Sequence, residues 1–298
     1  MFNYKIMRKQ FVQTLKNILH KNKKSILLLG DIGMFGFRNE LKEIPDRVYN
    51  IGILEQCTIG VAAGLAKVGL IPFVHTIAPF LVERSFEQLK IDFGYQNLNG
   101  NFISVGASYD YAALGCTHHC PADIGILCNI PNMQIIIPGN SQEFDKLMMD
   151  SYNNGSPTYY RLSETENSII QNIEFGKAVV IKEGNDATII CFGNILDNVY
   201  KACEHLNVTI LYYTTILPFD VDLLKKHFNE KIIICEPFYE GSINHIITDA
   251  LNNKKYTIYN IGVPRKFLTN YGTKEEHDKN LKLDFIGISS KIKKWLIK

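Results

Sequence analysis

Six residues, Gly115-Cys116-Thr117-His118-His119-Cys120, gather two thiols and two imidazoles into one short segment. Such side chains hold zinc when their spacing lets four of them converge. Here Cys116 and Cys120 lie too close to the histidines for finger spacing, and no second pair follows. No metal site is therefore expected. An imidazole titrates near neutral pH, so the same segment is suited to moving protons to and from oxygen atoms. A second candidate is Glu55, which follows the apolar run Ile51-Gly52-Ile53-Leu54 and opens a helical pattern. A carboxylate at such an apolar strand-to-helix junction is hard to ionise unless something pairs with it. An acidic residue is also what a helix N-terminus favours by itself. The third is Gly30–Gly36, GDIGMFG, after a strand-like run. Glycines there can cradle a phosphate, but the dinucleotide spacing is absent and no strong helix follows at once.

The elements that must position these residues alternate along the chain. Ile6, Phe11, Leu15, Ile18 and Leu19 recur near helical spacing, and Ser25–Leu29 is a continuous apolar run of the buried, parallel type. Strands are expected near 47–51, 71–76, 101–106, 134–137 and 157–161. Helices are expected near 55–68, 80–93, 121–129 and 141–152, with Asn140-Ser141 as an N-cap for the last. Gly60 and Gly64 leave the first of these helices open to close approach by another element. From Ser163 to Lys177 the apolar pattern lapses into a polar, acidic linker. A second alternating set begins at Ala187, with strands in TIICFG, VTILYY, KIIICE and YTIYNIG and helices ending at His205 and starting from Val221 and Ser242. The fold class is α/β: two consecutive three-layer domains, 1–163 and 178–298, joined by a linker at 164–177, each a mainly parallel sheet with helices on both faces.

Gly52–Gln56 reads G-I-L-E-Q, Ala62–Ala66 reads A-A-G-L-A and Phe86–Gln88 reads F-E-Q. With these motifs the stretch 50–96 resembles the pyrimidine-binding domain of the transketolase family of thiamine-diphosphate enzymes. The second half resembles the family's C-terminal domain through Ile216-Leu217-Pro218-Phe219-Asp220 and Glu236. The resemblance implies specific roles. Glu55 matches the glutamate that hydrogen-bonds N1′ of the cofactor's aminopyrimidine and drives its tautomerisation, so it is the expected catalytic carboxyl. Phe80, in Pro79-Phe80-Leu81, matches the aromatic that stacks on the pyrimidine. Ile77 falls where many transketolases have a further Phe. Asp31 is placed near the cofactor and a subunit interface. His118 matches the histidine of G-P-T-H that reaches into the substrate pocket, and His119 and His75 are expected to line the same pocket. Leu114 stands where many transketolases have an Asp that contacts a donor hydroxyl. Aligned on Pro157, Glu164 stands where they have an Arg that binds a sugar phosphate. Arg161, three residues earlier on an extended chain, faces the other way and need not replace that contact.

The family's diphosphate-binding signature, Gly-Asp-Gly followed by Asn, is missing: Gly30-Asp31-Ile32-Gly33 is the nearest string, without the partner segment. The implied protein is the C-terminal subunit of a split enzyme, active only with an N-terminal subunit that holds the diphosphate and Mg²⁺, and self-paired within a heterotetramer. Its implied reaction moves a two-carbon unit between ketone and aldehyde sugars. At least one of these is not an ordinary pentose phosphate, and an unphosphorylated or nucleotide-linked sugar of surface-polysaccharide synthesis is the suggested class. The alternatives are the β subunit of a 2-oxoacid dehydrogenase, of similar length and organisation, and a non-catalytic binding module that kept the fold. A nicotinamide oxidoreductase lacks its fingerprint.

Composition agrees with a globular protein. The 298 residues are 46% hydrophobic and 21% charged, and the formal net charge of +2 leaves no footprint for nucleic acid or a membrane surface. The small basic run at Lys21, Lys23 and Lys24 reads as a solvated helix end. No apolar run approaches the ~20 residues of a membrane span, and the N-terminus lacks a signal peptide's apolar core. Seven scattered cysteines, an odd number, suggest reduced thiols and a cytoplasmic setting.

Overall fold

A computed structural model describes residues 6–297. Residues 1–5, the start of the segment read above for a leader, and Lys298 lie outside the described residues. In chain order the first half runs α1 (Ile6–Lys21), β1 (Ser25–Leu29), α2 (Glu40–Glu43), β2 (Val48–Asn50), α3 (Glu55–Lys67), β3 (Ile71–Ile77), α4 (Ala78–Val82), α5 (Phe86–Gln88), β4 (Gly100–Val105), α6 (Asp123–Leu127), β5 (Gln134–Ile136), α7 (Ser141–Ser151) and β6 (Pro157–Arg161). The second half runs β7 (Ala178–Lys182), β8 (Thr188–Phe192), α8 (Leu196–Ala202), β9 (Thr209–Tyr213), β10 (Thr215–Leu217), α9 (Val221–Lys226), β11 (Lys231–Tyr239), α10 (Asn244–Ala250), β12 (Thr257–Val263), α11 (Lys274–Leu281) and α12 (Phe285–Leu296).

Two sheets result, ordered β10-β5-β6-β4-β3-β1-β2 and β12-β11-β8-β9-β7. All pairings are parallel except the two edge strands, β10 on β5 and β7 on β9. Successive side chains of a strand point to opposite faces. Leu27, Leu29, Phe73 and Ile103 therefore pack toward Phe11 of α1 and Phe144 of α7. Ile26, Leu28, Val74 and Phe102 pack toward Ile59 and Ala62 of α3 and Leu81 of α4. In the second sheet Ile189, Cys191, Ile233 and Cys235 meet α8 and α12, while Ile190, Phe192, Ile232 and Ile234 meet α9 and α10. Both sheets are thus middle layers between helices, the expected mainly parallel α/β architecture. Burial on both faces explains why their strands read as continuous apolar runs.

Most expected elements are present within a residue or two, and Asn140 caps α7 by accepting from the Glu143 amide at 3.0 Å. Three differ. The helix expected over 80–93 is broken: α4 and α5 are short turns, followed by a wider π-type coil over Leu89–Tyr95. The helix expected over 121–129 is reduced to α6. The second half also returns to the first sheet. Directly after β9 the chain crosses over and β10 pairs antiparallel with β5, with Thr215 opposite Ile136. Across the same seam the Tyr212 hydroxyl donates to Glu143 at 2.7 Å and the Tyr239 amide to the Pro121 carbonyl at 2.8 Å. The buried Arg161 donates to Asp123 at 2.7 Å and to the Pro237 carbonyl at 3.3 Å. Arg161 is therefore engaged as a structural staple between the two halves.

Candidate active site

In open parallel sheets, ligands bind beyond the carboxyl ends of the strands. Loops from five strand ends meet there: residues 30–36 after β1, 51–54 after β2, α4 after β3, 106–119 after β4 and 162–164 after β6. Glu55 is the first residue of α3 and only 3% exposed. Its Oε2 accepts from Arg84 Nη1 at 2.7 Å, while Oε1 is buried with no hydrogen-bond partner among the described residues. The same Arg84 guanidinium lies over the Phe80 ring, 4.2 Å from its centroid. On its other side Phe80 meets the His118 imidazole edge-on, with centroids 5.4 Å apart. His118 is half-buried, and its Nδ1 lies 3.0 Å from the Thr117 hydroxyl. Glu55, Arg84, Phe80 and His118, from three separate segments, thus form one contiguous surface of carboxylate, cation, aromatic face and imidazole.

Arg84 is not among the sequence candidates. Its signal is its place four residues after Phe80, one helical turn on, just before Phe86-Glu87-Gln88. It is also the cation paired with Glu55, 2.7 Å from its Oε2.

The remaining candidates are spread around this surface. Ile77 ends β3 and packs half-buried on the α1 and α7 side of the sheet. Asp31 is exposed with φ 64°, and its amide donates to Asn50 Oδ1 at 3.0 Å while Asn50 Nδ2 donates back at 3.2 Å. That exchange ties the glycine loop to the end of β2, next to α3. Leu114 is 51% exposed and offers only an apolar contact. Glu164 follows β6, and its amide donates to Asp110 at 2.9 Å. Asp110 is buried and its carboxyl is pushed up to about 6, mainly by burial. Two carboxyl groups therefore stand where the resemblance places a phosphate-binding cation. Glu236 takes no part in the cluster. It is fully buried in the other sheet, pushed up to about 8 by burial, and accepts from the Gly241 amide at 2.6 Å.

His75 does not line the pocket expected for it. It has no exposed surface, its Nδ1 lies 3.0 Å from the Ile103 carbonyl, and its ring lies tilted against Phe11, with centroids 4.5 Å apart. Burial lowers its pKa to about 3. The reason is pleating: His75 sits two residues from Phe73 and Ile77 and so shares their face, toward α1 and α7. His119 is 6% exposed and lines a small cleft with Cys116, Glu83 and Lys266.

Among the described residues no group of three His, Cys, Asp or Glu side chains is placed to hold a metal ion. Cys120 is buried, its thiol directed at Glu83, 3.6 Å away, whereas His118 faces Phe80. Elemental analysis of the purified chain should find no stoichiometric zinc. In the assembled enzyme His118→Ala should lower turnover by ~10²-fold, the scale of a lost acid–base group, and Cys120→Ser far less. Stoichiometric zinc with equal losses from both changes would establish a metal site instead.

Comparison with known proteins decides the family. Residues 5–168 match the model for the transketolase pyrimidine-binding domain, and 176–284 that for the transketolase C-terminal domain. The chain belongs to the transketolase family. It is similar to an uncharacterised 33.6 kDa protein in the fasciation locus of Rhodococcoides fascians, 34% identical over 99% of this chain and 96% of that one. It is also similar to one of the subunits of the apulose-4-phosphate transketolase of Phocaeicola vulgatus, 31% identical over 86% of this chain and 87% of that one. A 1-deoxy-D-xylulose-5-phosphate synthase of Psychromonas ingrahamii is 30% identical over 87% of this chain but only 43% of its own length. The fold matches that of a split-gene transketolase solved as an inactive β4 tetramer, with a TM-score of 0.83 at 24% identity over 98% of both chains. Within this transketolase-family chain, the four-residue cluster lies wholly in the pyrimidine-binding part.

Proposed function

We propose that this chain is the C-terminal subunit of a split, thiamine-diphosphate-dependent transketolase-like enzyme. The observation that carries the reading is the buried, unpartnered Oε1 of Glu55 beside the Phe80 ring. An unpaired buried acceptor is costly, which marks it as reserved for a donor from outside the chain. Arg84 already makes the contacts that a bound pyrimidine would need: a planar, donating group hydrogen-bonded to Glu55 and laid on Phe80. It has to turn aside when the ring arrives, and its 38% exposure leaves room to do so. Phe80 would wall the ring, and the Glu55 carboxyl would hold a proton shared with it. When bound, the cofactor would supply the chemistry that carries a two-carbon unit. His118, in the loop after β4, would move protons at the sugar oxygens.

The transferred unit passes between ketone and aldehyde sugars, at least one of them not an ordinary pentose phosphate. Leu114 offers a donor hydroxyl no polar partner, and a carboxylate, Glu164, stands where a guanidinium would grip a phosphate bidentately. The Phocaeicola relative is itself named for apulose 4-phosphate. An N-terminal subunit holds the diphosphate and Mg²⁺, and subunits of this chain pair with one another. The outer face of α3 supports self-pairing. Gly64 has no neighbour that a Cβ would meet within 4 Å, and Ile53, Leu54 and Val61 are 65%, 57% and 41% exposed. The close approach that Gly64 permits therefore has no partner inside the described residues, whereas Gly60 faces Asp92.

The test is to assay the complex with its N-terminal subunit on xylulose 5-phosphate with ribose 5-phosphate, alongside unphosphorylated and nucleotide-linked keto-sugars. The pentose phosphates should be poor substrates, and Glu164→Arg should raise their kcat/KM at least ~10-fold by restoring a bidentate phosphate contact. Native turnover of both pentose phosphates at ~10⁴ M⁻¹s⁻¹ or better would overturn the substrate assignment.

A further inference from the structure

The loop that carries His118 is gripped by the other half of the chain. The Tyr271 ring lies on Gly115, where a Cβ would come within 2.7 Å of the ring, and φ at Gly115 is 74°. His277 of α11 stands edge-on to His119, with centroids 5.6 Å apart and planes at 89°. The His277 ring also meets Tyr109, at 5.3 Å. The Tyr109 hydroxyl donates to Asp278 at 2.7 Å, and Asp278 receives Lys274 at 2.8 Å. Residues 109, 115 and 119 of one loop are therefore all covered by the segment 271–278. His119 and His277 are 6% and 1% exposed. Nε2 of His277 lacks a hydrogen-bond partner among the described residues, its Nδ1 lies 3.4 Å from Asn270 Nδ2, and no hydrogen bond joins the His277 ring to that of His119. The contact between the two rings is accordingly one of packing.

We infer that His277 is a positioning residue: its ring, carried by the C-terminal domain, wedges His119 and so holds the neighbouring His118 against Phe80. The functional half of this inference rests on the reading of His118 as substrate-facing; the structural half does not. A C-terminal domain that contributes nothing to the cofactor-binding surface thereby acquires a part in substrate contact.

The wedge is also sensitive to acid. Burial lowers the pKa of His119, and the neighbouring His277 and His118 lower it further, with the Tyr111 backbone opposing. Burial lowers His277 as well, with Asp278 and Glu276 opposing and Lys274 adding to the effect. A histidine with a lowered folded pKa is protonated more readily when released. The stability it contributes is therefore lost as pH falls from the ordinary value of 6.5 toward the lowered one. Two imidazolium rings in contact would also repel each other.

Hydrogen exchange of the peptide covering 112–120, measured by mass spectrometry on the whole chain without cofactor, tests the wedge directly. His277→Ala should speed exchange of the loop ~10-fold or more at neutral pH, while the global fold persists by circular dichroism. His277→Phe keeps a ring of similar width without a titrating group. It should restore protection, and should also reduce the excess loosening that the native loop shows, after correction for intrinsic rates, as pH falls from about 7.5 to about 5.5, leaving the share that belongs to His119. If His277→Ala does not fold, the phenylalanine variant and its pH series decide alone. Native exchange in both variants, or a phenylalanine loop whose loosening with acid equals the native one, would overturn the wedge. In the assembled enzyme His277→Ala should raise KM for the acceptor more than it lowers kcat, with cofactor affinity unchanged. A loosened loop with unaltered KM would overturn the functional half alone.

Discussion

Glu55→Gln in the assembled enzyme should lower turnover by ~10²-fold or more, the scale of a positioned acid–base group, while the complex still forms. Gln keeps the length of the side chain and one hydrogen-bonding oxygen but cannot give up or take a proton. Folding should survive, because the change removes a buried charge and does not strand one. What it leaves unpaired is Arg84, which at 38% exposure is reached by water. The Gln oxygen can still accept from that guanidinium. Steady-state rates, with sedimentation to verify assembly, make the comparison. Turnover near the native value would mean that another group activates the cofactor, and the role given to Glu55 would fall.

The purified chain alone should show no measurable binding of thiamine diphosphate by calorimetry, with or without Mg²⁺. With the N-terminal subunit present, binding should become saturable and should be abolished by a chelator. The reason lies in what the chain offers. On the proposed reading, Glu55 and Phe80 would provide a wall and one hydrogen bond for a single ring. Among the described residues no acidic cluster is placed to hold a divalent ion, and without one the diphosphate's charge has no counterpart. The ring must also displace Arg84 from its 2.7 Å contact with Glu55. Tight, stoichiometric binding by the isolated chain would refute the split-subunit reading.

Local signals in the sequence were enough for the alternation of elements, and they located nearly every strand of the first sheet. Buried parallel strands need uninterrupted apolar runs, and glycine, proline and asparagine mark their ends. The motifs around Glu55, Phe80 and His118 were legible for the same local reason: each lies in the segment that follows a strand. That they share one surface is a consequence of parallel pairing, which brings the carboxyl ends of β2, β3 and β4 to one edge. Three matters were decided only by the tertiary structure. His75 is as polar in sequence as His118, but pleat parity turns it into the layer between the sheet and α1, where burial keeps it neutral. Arg84 carries no motif of its own, and its meaning comes from reaching Glu55 twenty-nine positions earlier. The three residues of β10 are too few to show a period, and their partner β5 is distant in the chain. The last two depend on contacts between segments far apart in sequence, and the first on which layer a strand face meets. Neither leaves a periodic trace in the local pattern from which elements are read.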